Sequence, residues 1–371
     1  MNLKSKGRLI SVLIASYWLT CFSPLTTNAC TRALFVSENN TVIITGRTMD
    51  WDEDMQTDLW LMPRGIKRTG EAGPNSPVWI SKYGSVVASV YHLASADGMN
   101  EKGLVMNLLY LAESDYGQQK VSSQLLSVSL WGQYALDNFA TVNEAVASME
   151  AKPFQIIAPK LPNGVASQVH LSLSDSSGDS AIFEYIEGKL VIHHDKRYRV
   201  MTNSPIYSKQ LALNDYWQDI GGSVFLPGTS RAADRFVRAS YYINAIPKQL
   251  FMSLIQTVPK QLFANQAAAA VLSVMRTVSV PLGITTPNEP NIASTLWRTV
   301  ADQKRLVYFF DSATQPNTFW VSFYNLNFKA GNPVRRLALS QGQTYSGEVS
   351  AQFKPEQPFK FLSPIADSRV R

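Results

Sequence analysis

Short apolar runs separated by polar turns dominate the chain after residue 30 and predict β-strands. Ala33–Val36 and Thr41–Ile44 flank the polar stretch Glu38–Asn40, which is the pattern of a β-hairpin. Further apolar runs follow at Val78–Ile80, Ser85–Tyr91 and Leu104–Leu111, and the last of them is preceded by a predicted turn at Gly98–Gly103. This part of the chain is therefore predicted to be mainly β-structure.

Helical periodicity comes next, and a second group of strands follows it. Apolar residues at helical spacing predict a helix over Ser122–Phe139, and Thr141 with Glu144 forms a capping box for a second helix that ends near Met149. Closely spaced β-rich runs then predict an antiparallel meander of four strands, at His170–Ser174, Ala181–Ile186, Leu190–His193 and Arg199–Thr202.

The rest of the chain repeats this order. Helices are predicted at Arg235–Ala245 and Gln266–Arg276, and strands at Leu306–Phe310 and Thr318–Tyr324. Strands and helices that alternate in blocks predict an α+β protein in which helices cover layered sheets.

Residues 1–29 are predicted to be a secretory signal peptide. Three basic residues among the first eight precede an apolar segment from Leu9 to about Phe22, and Thr27–Ala29 forms a small-x-small cleavage site. Cleavage there leaves residues 30–371 as the processed chain. We expect that chain to reside in the periplasm or outside the cell.

Composition limits the partners of the processed chain. The leader holds three of the 34 basic residues and none of the 28 acidic ones, so the processed net charge is only +3. The sequence has no cluster of basic residues that would indicate nucleic-acid binding. After the leader, no apolar run is long enough to span a membrane. The absence of a linker or an internal repeat predicts one domain over residues 30–371.

Cys30 becomes the first residue of the chain when the leader is removed. The second cysteine, Cys21, lies in the leader, so Cys30 would carry both the one remaining thiol and the free α-amine. An amine with a pKa near neutrality can act as the base for a neighbouring thiol nucleophile. This arrangement predicts an N-terminal-nucleophile amidohydrolase.

Two other roles for Cys30 remain open at this point. A cysteine after a leader can carry lipid in an anchored binding protein, although lipidation favours an aliphatic residue where this chain has Thr27. Cys30 could also be a buried structural cysteine. The intact mass distinguishes the first alternative, because a diacylglyceryl adduct on Cys30 excludes a free-amine mechanism.

Arg47 and Asp50 lie three positions apart, directly after a predicted strand. In isolation the favoured interpretation is a surface salt bridge at a strand end. The hairpin, however, returns this segment toward Cys30. There an aspartate can orient the α-amine, and an arginine can favour the thiolate over the thiol.

Two later segments supply further candidates. Asn203 has an amide N–H that can stabilise an oxyanion, although an Asn before Ser-Pro is also typical of a turn. Asp234 is predicted to be a helix N-cap. Arg235 would then lie in the first helical turn, where the helix dipole disfavours a cation, and this placement suggests a functional role.

A metal site is not expected. His193 and His194 are adjacent, and neighbouring residues of a strand face opposite sides of the sheet. We expect one exposed and one packed imidazole, and no cofactor.

Taken together, six segments resemble the choloylglycine hydrolase family, which contains bile salt hydrolases and penicillin V acylases. The resemblance covers essentially all of the processed chain. It rests on Cys30 behind a leader, Gly46–Trp51, Asn100–Leu104, Asp175–Glu184, Thr202–Pro205 and Leu226–Arg238, which occur in the family's order.

The resemblance implies an αββα sandwich of two stacked antiparallel sheets, with catalysis at one edge of the sheets. It also implies the role of each matching residue. Cys30 would be the nucleophile and its amine the base, Asp50 would hydrogen-bond the amine, Arg47 would lie against the thiol, Asn203 would form part of the oxyanion hole, and Arg235 would support the charged centre.

A sixth catalytic position of the family, Asn in many bile salt hydrolases, aligns with Tyr110, which would help Asn203 to stabilise the oxyanion. Asn107 is the competing candidate. Tyr110 resembles the penicillin V acylases, and Trp51 is expected to contact the substrate. We therefore predict an acylase that removes an apolar acyl group from a small polar amine, with penicillin V and N-acyl homoserine lactones as candidates. A conjugated bile salt hydrolase is the alternative. The resemblance also implies a homotetramer.

Overall fold

The computed structural model describes residues 30–119, 122–221, 224–248, 260–283 and 293–364. Within these ranges the chain forms two large β-sheets stacked face to face, with helices on the outer side of each. The predicted α+β class and αββα layering are confirmed. The predicted leader, residues 1–29, lies outside the described residues.

The first large sheet has seven strands and is antiparallel except for its last pair. In spatial order its strands are β14 (Val200–Met201), β1 (Thr31–Val36), β2 (Ile43–Trp51), β15 (Ser294–Asp302), β16 (Val307–Ser312), β17 (Thr318–Ser322) and β19 (Gly347–Glu348).

The second large sheet has nine strands and is antiparallel. In spatial order they are β13 (Lys189–His194), β12 (Ser180–Ile186), β11 (Val169–Ser174), β8 (Val105–Tyr110), β7 (Ala94–Asn100), β6 (Ser85–Val90), β3 (Leu59–Met62), β18 (Arg335–Leu337) and β20 (Lys354–Pro355). Two small two-stranded sheets are β4 (Lys67–Thr69) with β5 (Val78–Ile80), and β9 (Leu125–Ser127) with β10 (Gln155–Ile157).

The helices form the two outer layers. Helices α1 (Trp131–Asn138) and α2 (Val142–Glu150) pack on the second sheet, whereas α4 (Ala232–Ala245) and α5 (Lys260–Thr277) pack on the first, and α3 (Tyr207–Asp219) packs on α4. Short 3₁₀ helices occur at Val128–Leu130, Phe323–Asn325 and Ser350–Gln352.

Strand β2 lies at the centre of the first sheet and has one face toward each neighbouring layer. At Gly46 the outer layer comes very close, because a Cβ there would be 2.7 Å from Val271 Cγ1 and 2.8 Å from Met275 Cγ of α5. The neighbouring Thr45 points the other way, and its hydroxyl lies 2.7 Å from Ser174 Oγ of the second sheet. Glycine at position 46 therefore lets α5 pack directly on the strand that carries Arg47.

The second sheet is split along part of its length. Strands β7 and β8 pair through Asp97–Asn107 and two further residue pairs, and the ladder ends there. Beyond that point β7 continues beside β6, and β8 continues beside β11. Ala94–Ala96 and Leu108–Tyr110 thus lie on opposite sides of a gap in the sheet.

Several predicted elements are confirmed, and some boundaries are wrong. The first hairpin and the helix inside Ala232–Ala245 are present. Thr141 is the N-cap of α2 as predicted, but the Glu144 carboxylate accepts its hydrogen bond from the Ala140 N–H instead of from Thr141. The predicted turn Gly98–Gly103 begins too early, because β7 extends to Asn100. The predicted helix Ser122–Phe139 is instead a strand, a 3₁₀ turn and then α1, because Leu125–Ser127 pairs with β10.

Two further predictions, the pairing of one strand and the N-cap of one helix, are wrong. The fourth strand of the predicted meander, β14, leaves the second sheet and pairs with β1 in the first sheet. Asp234 is not the N-cap of α4: the cap is Arg231, and Asp234 lies in the first turn, where its carboxylate accepts a 2.5 Å hydrogen bond from Thr229 Oγ1. Helix α3 and strand β15 were not predicted.

Within the described ranges, no helix combines the length and apolar character needed to cross a membrane.

Candidate active site

Cys30 lies immediately before β1, at the point where the first sheet meets the gap in the second. Thr31 is opposite Thr48 in the β1–β2 ladder, so Cys30 comes next to Met49. Its side chain is buried, and Sγ lies 3.8 Å from Arg47 Nη2 and 3.9 Å from both Met49 Sδ and the Asp50 carbonyl oxygen. The hairpin therefore brings the predicted nucleophile and Arg47 together.

The pKa of the Cys30 thiol is raised above its ordinary value, chiefly because burial disfavours the thiolate. The positive charge of Arg47 acts in the opposite direction but does not outweigh burial. Arg47 thus favours the thiolate as expected, but the pKa of the Cys30 thiol still lies above its ordinary value. A thiol in this setting needs a base when it attacks.

Arg47 is held in the space between the sheets by groups from both. Its Nη2 donates a 3.1 Å hydrogen bond to the carbonyl of Leu108, at the gap in the second sheet, and its guanidinium lies 4.5 Å from the Trp297 ring centroid. Nη1 lies 3.9 Å from Asp97 Oδ2. The alternative of a surface salt bridge is excluded by geometry, because Arg47 and Asp50 are fully buried.

Asp50 lies on the opposite face of β2, toward α4. Oδ1 accepts a 2.6 Å hydrogen bond from Thr295 Oγ1, and Oδ2 lies 3.8 Å from Arg235 Nη1. Burial raises the pKa of Asp50 to about 6, although the positive charge of Arg235 opposes the shift. In the described part of the chain, no donor makes a hydrogen bond to Oδ2, which is fully buried.

Arg235 projects from the first turn of α4 and connects the other site residues. Nη1 donates to the carbonyl of Cys30 at 2.7 Å and to Thr31 Oγ1 at 2.5 Å, and Nη2 donates to Asn203 Oδ1 at 3.0 Å. Burial lowers the pKa of Arg235 below its ordinary value, while Asp50 works against that change. The unfavourable position in the helix dipole is offset by these acceptors.

Asn203 follows β14 and is held in a defined orientation. Its Oδ1 accepts hydrogen bonds from the Cys30 backbone N–H and from Arg235, so its Nδ2 must point the other way, where it donates 2.7 Å to the Tyr110 carbonyl. Gln210 of α3 secures the loop, because its Nε2 donates to the carbonyls of Asn203 and of Pro205 (2.6 Å). The amide N–H₂ group therefore faces the gap in the second sheet.

Tyr110 and Asn107, the competing candidates for the sixth position, have different surroundings. Asn107 is buried between the sheets, where Nδ2 donates 2.6 Å to Asp97. Tyr110 is half-buried and lines the pocket beside Cys30, with its ring 6.4 Å from that of Trp51. Its contact with Asn203 is made by the backbone carbonyl, and burial raises the pKa of its phenol.

An apolar pocket leads from Cys30 into the gap in the second sheet. It is lined by Met49, Trp51 and Met55, and by Ala96 and Leu108 from the two sides of the gap. Trp51 is fixed by a 2.8 Å hydrogen bond from its indole N–H to Tyr91. Such a pocket suits an apolar group attached to the carbon that the thiol attacks.

Sequence patterns missed two residues that support the site, Asp97 and Gln210. Asp97 accepts hydrogen bonds from Tyr308 and Asn107 while facing Arg47, and burial raises its pKa. Gln210 lies in a helix that was not predicted. The Asp that precedes the Gly-Met-Asn-Glu-Lys-Gly segment was the available signal for Asp97, but no sequence pattern marks Gln210.

The adjacent histidines have separate partners. His193 lies 3.4 Å from Glu184 and 5.0 Å from the ring of Tyr207, whereas His194 is more exposed and lies 2.9 Å from Asp179. Among the described residues, no group of three or more His, Cys, Asp or Glu side chains is arranged to hold a metal ion.

Comparison with known proteins agrees with this geometry. Residues 30–335 match the model of the family described as linear amide C–N hydrolases, choloylglycine hydrolase family. A penicillin V acylase from Pectobacterium atrosepticum is 49% identical over 346 residues, which cover 90% of this chain and 92% of that protein.

Solved structures give the same result. A penicillin V acylase from Agrobacterium tumefaciens is 52% identical, with a TM-score of 0.81 and coverage of 90% of this chain and 100% of that one. A conjugated bile acid hydrolase from Clostridium perfringens is 19% identical, with a TM-score of 0.67 and coverage of 86% and 98%. The second likeness concerns the fold alone.

The family match over residues 30–335 and the close relatives in Pectobacterium and Agrobacterium confirm the resemblance seen in the sequence: this chain belongs to the choloylglycine hydrolase family of linear amide C–N hydrolases.

Proposed function

We propose that the processed chain, which begins at Cys30, is a penicillin V acylase-type enzyme that removes an apolar acyl group from a small polar amine. Export through the predicted leader would place it in the periplasm or outside the cell. Signal peptidase would then create the catalytic amine, so no self-cleavage is required. The family model begins its match at residue 30, which supports this starting point.

In the acylation step, the thiol of Cys30 gives its proton to its own α-amine while Sγ attacks the amide carbonyl carbon. The carbonyl electrons move to oxygen, and the Nδ2 of Asn203 stabilises the oxyanion. The ammonium then returns the proton to the leaving nitrogen as the C–N bond breaks. A thioester on Cys30 and a free amine are formed.

In the deacylation step, the same amine takes a proton from water, whose oxygen attacks the thioester carbonyl. The C–S bond breaks and the thiol is restored by that proton. Asn203 stabilises the second oxyanion as it did the first. The carboxylic acid leaves through the pocket.

The observation that carries this proposal is the unfilled acceptor at Asp50. Its Oδ2 is buried and has no hydrogen-bond donor in the described structure, while Asp50 lies close enough to raise the pKa of the Cys30 thiol. A buried carboxylate oxygen without a donor is costly. The α-amine of Cys30, neutral before the attack and cationic once it holds the thiol proton, would supply that donor in both forms and would be held in place by Asp50.

The pocket favours an acylase over the bile salt alternative. Its walls beside Cys30 are apolar and partly aromatic, from Trp51 and Tyr110, which suits a flat or linear acyl group. The two relatives near 50% identity are penicillin V acylases, whereas the bile acid hydrolase shares only 19% identity. N-acyl homoserine lactones have the same apolar acyl group on a small amine and are the second candidate substrates. The homotetramer stays a prediction.

Hydrolysis by the exported, processed protein tests the proposal. Phenoxyacetyl penicillin, a long-chain N-acyl homoserine lactone and a glycine-conjugated bile acid would be compared, with Cys30→Ala as the control. We expect cleavage of at least one of the first two that Cys30→Ala abolishes. Fastest cleavage of the bile acid would support the alternative, and a diacylglyceryl adduct on Cys30 would contradict the mechanism.

A further inference from the structure

The pocket that begins at Cys30 passes through the gap in the second sheet and reaches its outer side. Its lining includes Met49 and Ala96, which belong to the core between the sheets, and Leu108, which belongs to the core on the other side of the second sheet. Its outer part is lined by Val128 and Ser129 of the 3₁₀ turn, which pack with α1 on the opposite face of that sheet. A linear group attached at Cys30 would therefore run through the sheet.

A segment near the end of the described chain crosses this outer part. Leu362 lines the pocket, its backbone N–H donates 2.8 Å to the carbonyl of Leu93, and its carbonyl accepts hydrogen bonds from Ser127 Oγ (2.5 Å) and Ser129 Oγ (3.0 Å). The Leu93 carbonyl and the two serine hydroxyls thus hold the backbone of Leu362 in place beside the pocket.

The residues before Leu362 anchor the segment in the outer core. The Phe361 ring is buried, and its centroid lies 4.8 Å from that of Phe359 and 5.3 Å from the Arg68 guanidinium. The Phe359 ring in turn packs edge-on against Trp60, with centroids 5.2 Å apart. This anchoring makes the segment Phe359–Leu362 a fixed wall. It also lies beyond residue 335, where the match to the family model ends.

We propose that Leu362 closes the outer end of the acyl pocket and sets the length of the acyl chain that the enzyme accepts. The substrate class is an amide with a straight or arylalkyl acyl group, so this inference rests on the proposed function. The side chain contacts the end of the acyl group, away from Cys30, and takes no part in bond breaking. Its effect is on substrate selection.

The test uses processed Leu362→Ala and Leu362→Trp variants with straight-chain N-acyl homoserine lactones of increasing acyl length. Each methylene buried is worth about fourfold in kcat/KM. The quantity compared is the kcat/KM for a chain two methylenes longer than the wild-type optimum, divided by the kcat/KM for the optimal chain. We expect this ratio to be about tenfold higher in Leu362→Ala than in wild type, and about tenfold lower in Leu362→Trp. Lys360→Ala, an exposed position in the same segment, is the matched control.

A binding experiment separates this inference from the catalytic proposal. Straight-chain fatty acids of increasing length would be titrated calorimetrically into Cys30→Ala, alone and combined with each Leu362 change. The chain length bound most tightly should increase with Leu362→Ala and decrease with Leu362→Trp, even if no amide is cleaved. An unchanged length preference in folded variants, judged by circular dichroism, would overturn the assignment of Leu362 whatever the enzyme hydrolyses.

Discussion

Arg235 joins three parts of the site through one guanidinium group. It donates to the Cys30 carbonyl, to the hydroxyl of Thr31 and to Asn203 Oδ1, and it faces Asp50 as a buried counter-charge. The hydrogen bond to Oδ1 fixes which end of the Asn203 amide points to the substrate. The orientation of the Asn203 amide, the proposed oxyanion donor, is therefore set by an arginine that does not line the pocket.

This orientation leads to a prediction for Asn203. Asn203→Ala should lower kcat about a hundredfold or more, because loss of one oxyanion donor costs roughly 2.7–4 kcal/mol in acyl transfer. KM should change little, since the donor acts mainly on the transition state. Steady-state kinetics with the preferred amide measure this, and Asn138→Ala, at a partly buried asparagine of α1, is the control. Wild-type kcat in folded Asn203→Ala would exclude a role for this residue.

A second prediction concerns the thiol. Arg47→Lys keeps a charge but loses the planar contact with Trp297 and the fork that reaches Cys30 and Leu108. Because Arg47 lowers the pKa of Cys30 against the effect of burial, the substitution should raise that pKa further. Alkylation by iodoacetamide at neutral pH should slow by roughly fivefold to tenfold.

The comparison for this thiol experiment is Arg276→Lys, at a half-exposed arginine paired with Asp311. It should leave the alkylation rate unchanged at every pH. An identical pH profile for wild type and Arg47→Lys would show that Arg47 does not act on the thiol.

Much of the site could be predicted because its residues lie in short segments with recognisable chemistry. The structure brings together Cys30, Arg47, Asp50, Asn203 and Arg235, the residues that the resemblance named. Strand periodicity places Arg47 and Asp50 on opposite faces of a continuous strand. Local patterns could not show which layer each side chain meets, or that Tyr110 contacts Asn203 through its carbonyl. Those features depend on β2 having a different layer on each side and on the ladder between β7 and β8 ending early.

At the scale of elements, the start of α3 determines where the Asn203 loop lies. The Tyr207 N–H donates to both oxygens of Glu184, at 3.1 Å each, and Gln210 one turn later holds the loop. Glu184 also accepts from His170 (3.1 Å) and lies 3.4 Å from His193. A buried carboxylate in the second sheet thus anchors a helix N-terminus, which suits the helix dipole.

This anchor predicts a pH dependence of stability. Burial alone would raise the pKa of Glu184, but hydrogen bonds from His170 and His193 lower it to about 2, against 4.5 ordinarily. A depressed carboxyl pKa stabilises the fold fully above about pH 4.5, and this stabilisation, on the order of 3 kcal/mol, disappears as the pH falls toward 2. Glu184→Gln should remove that part of the acid destabilisation.

Urea unfolding of wild type and Glu184→Gln between pH 5 and the lowest pH that preserves the fold measures this difference. The free energy of unfolding of the wild type should fall more steeply with acid than that of the variant. Glu187→Gln, in the exposed turn after β12, is the matched control. Parallel curves for wild type and Glu184→Gln would contradict the anchoring role.

Strands and helices whose sequence signals come from neighbouring residues were predictable, whereas the strands with which they pair were not. The first hairpin and the Thr141 cap depend on neighbouring residues and occur as expected. The predicted strand Arg199–Thr202 is present as β14, but it pairs with residues of β1 that lie 167 and 169 positions earlier in the chain. Leu125–Ser127 fits a helical pattern and becomes a strand because β10 offers it a partner.

At the scale of the molecule, the sandwich places different chemistry on the two faces of one strand. β2 directs Arg47 toward the second sheet, where it meets the Cys30 thiol, and Asp50 toward α4, where it meets Arg235. Neither face of β2 alone would provide both a cationic and an anionic side chain. The gap in the second sheet then supplies the route by which an acyl group reaches Sγ.

The central claim is that the free amine of Cys30, created by removal of residues 1–29, is the catalytic base. The most direct measurement compares the amide hydrolysis rate of the chain that begins at Cys30 with that of a chain that keeps Ala29 before it. Intact mass would verify both N-termini after the assay, and thermal unfolding would verify that both are folded. We expect hydrolysis only from the chain that begins at Cys30. Equal rates from the intact Ala29-extended chain would contradict the mechanism.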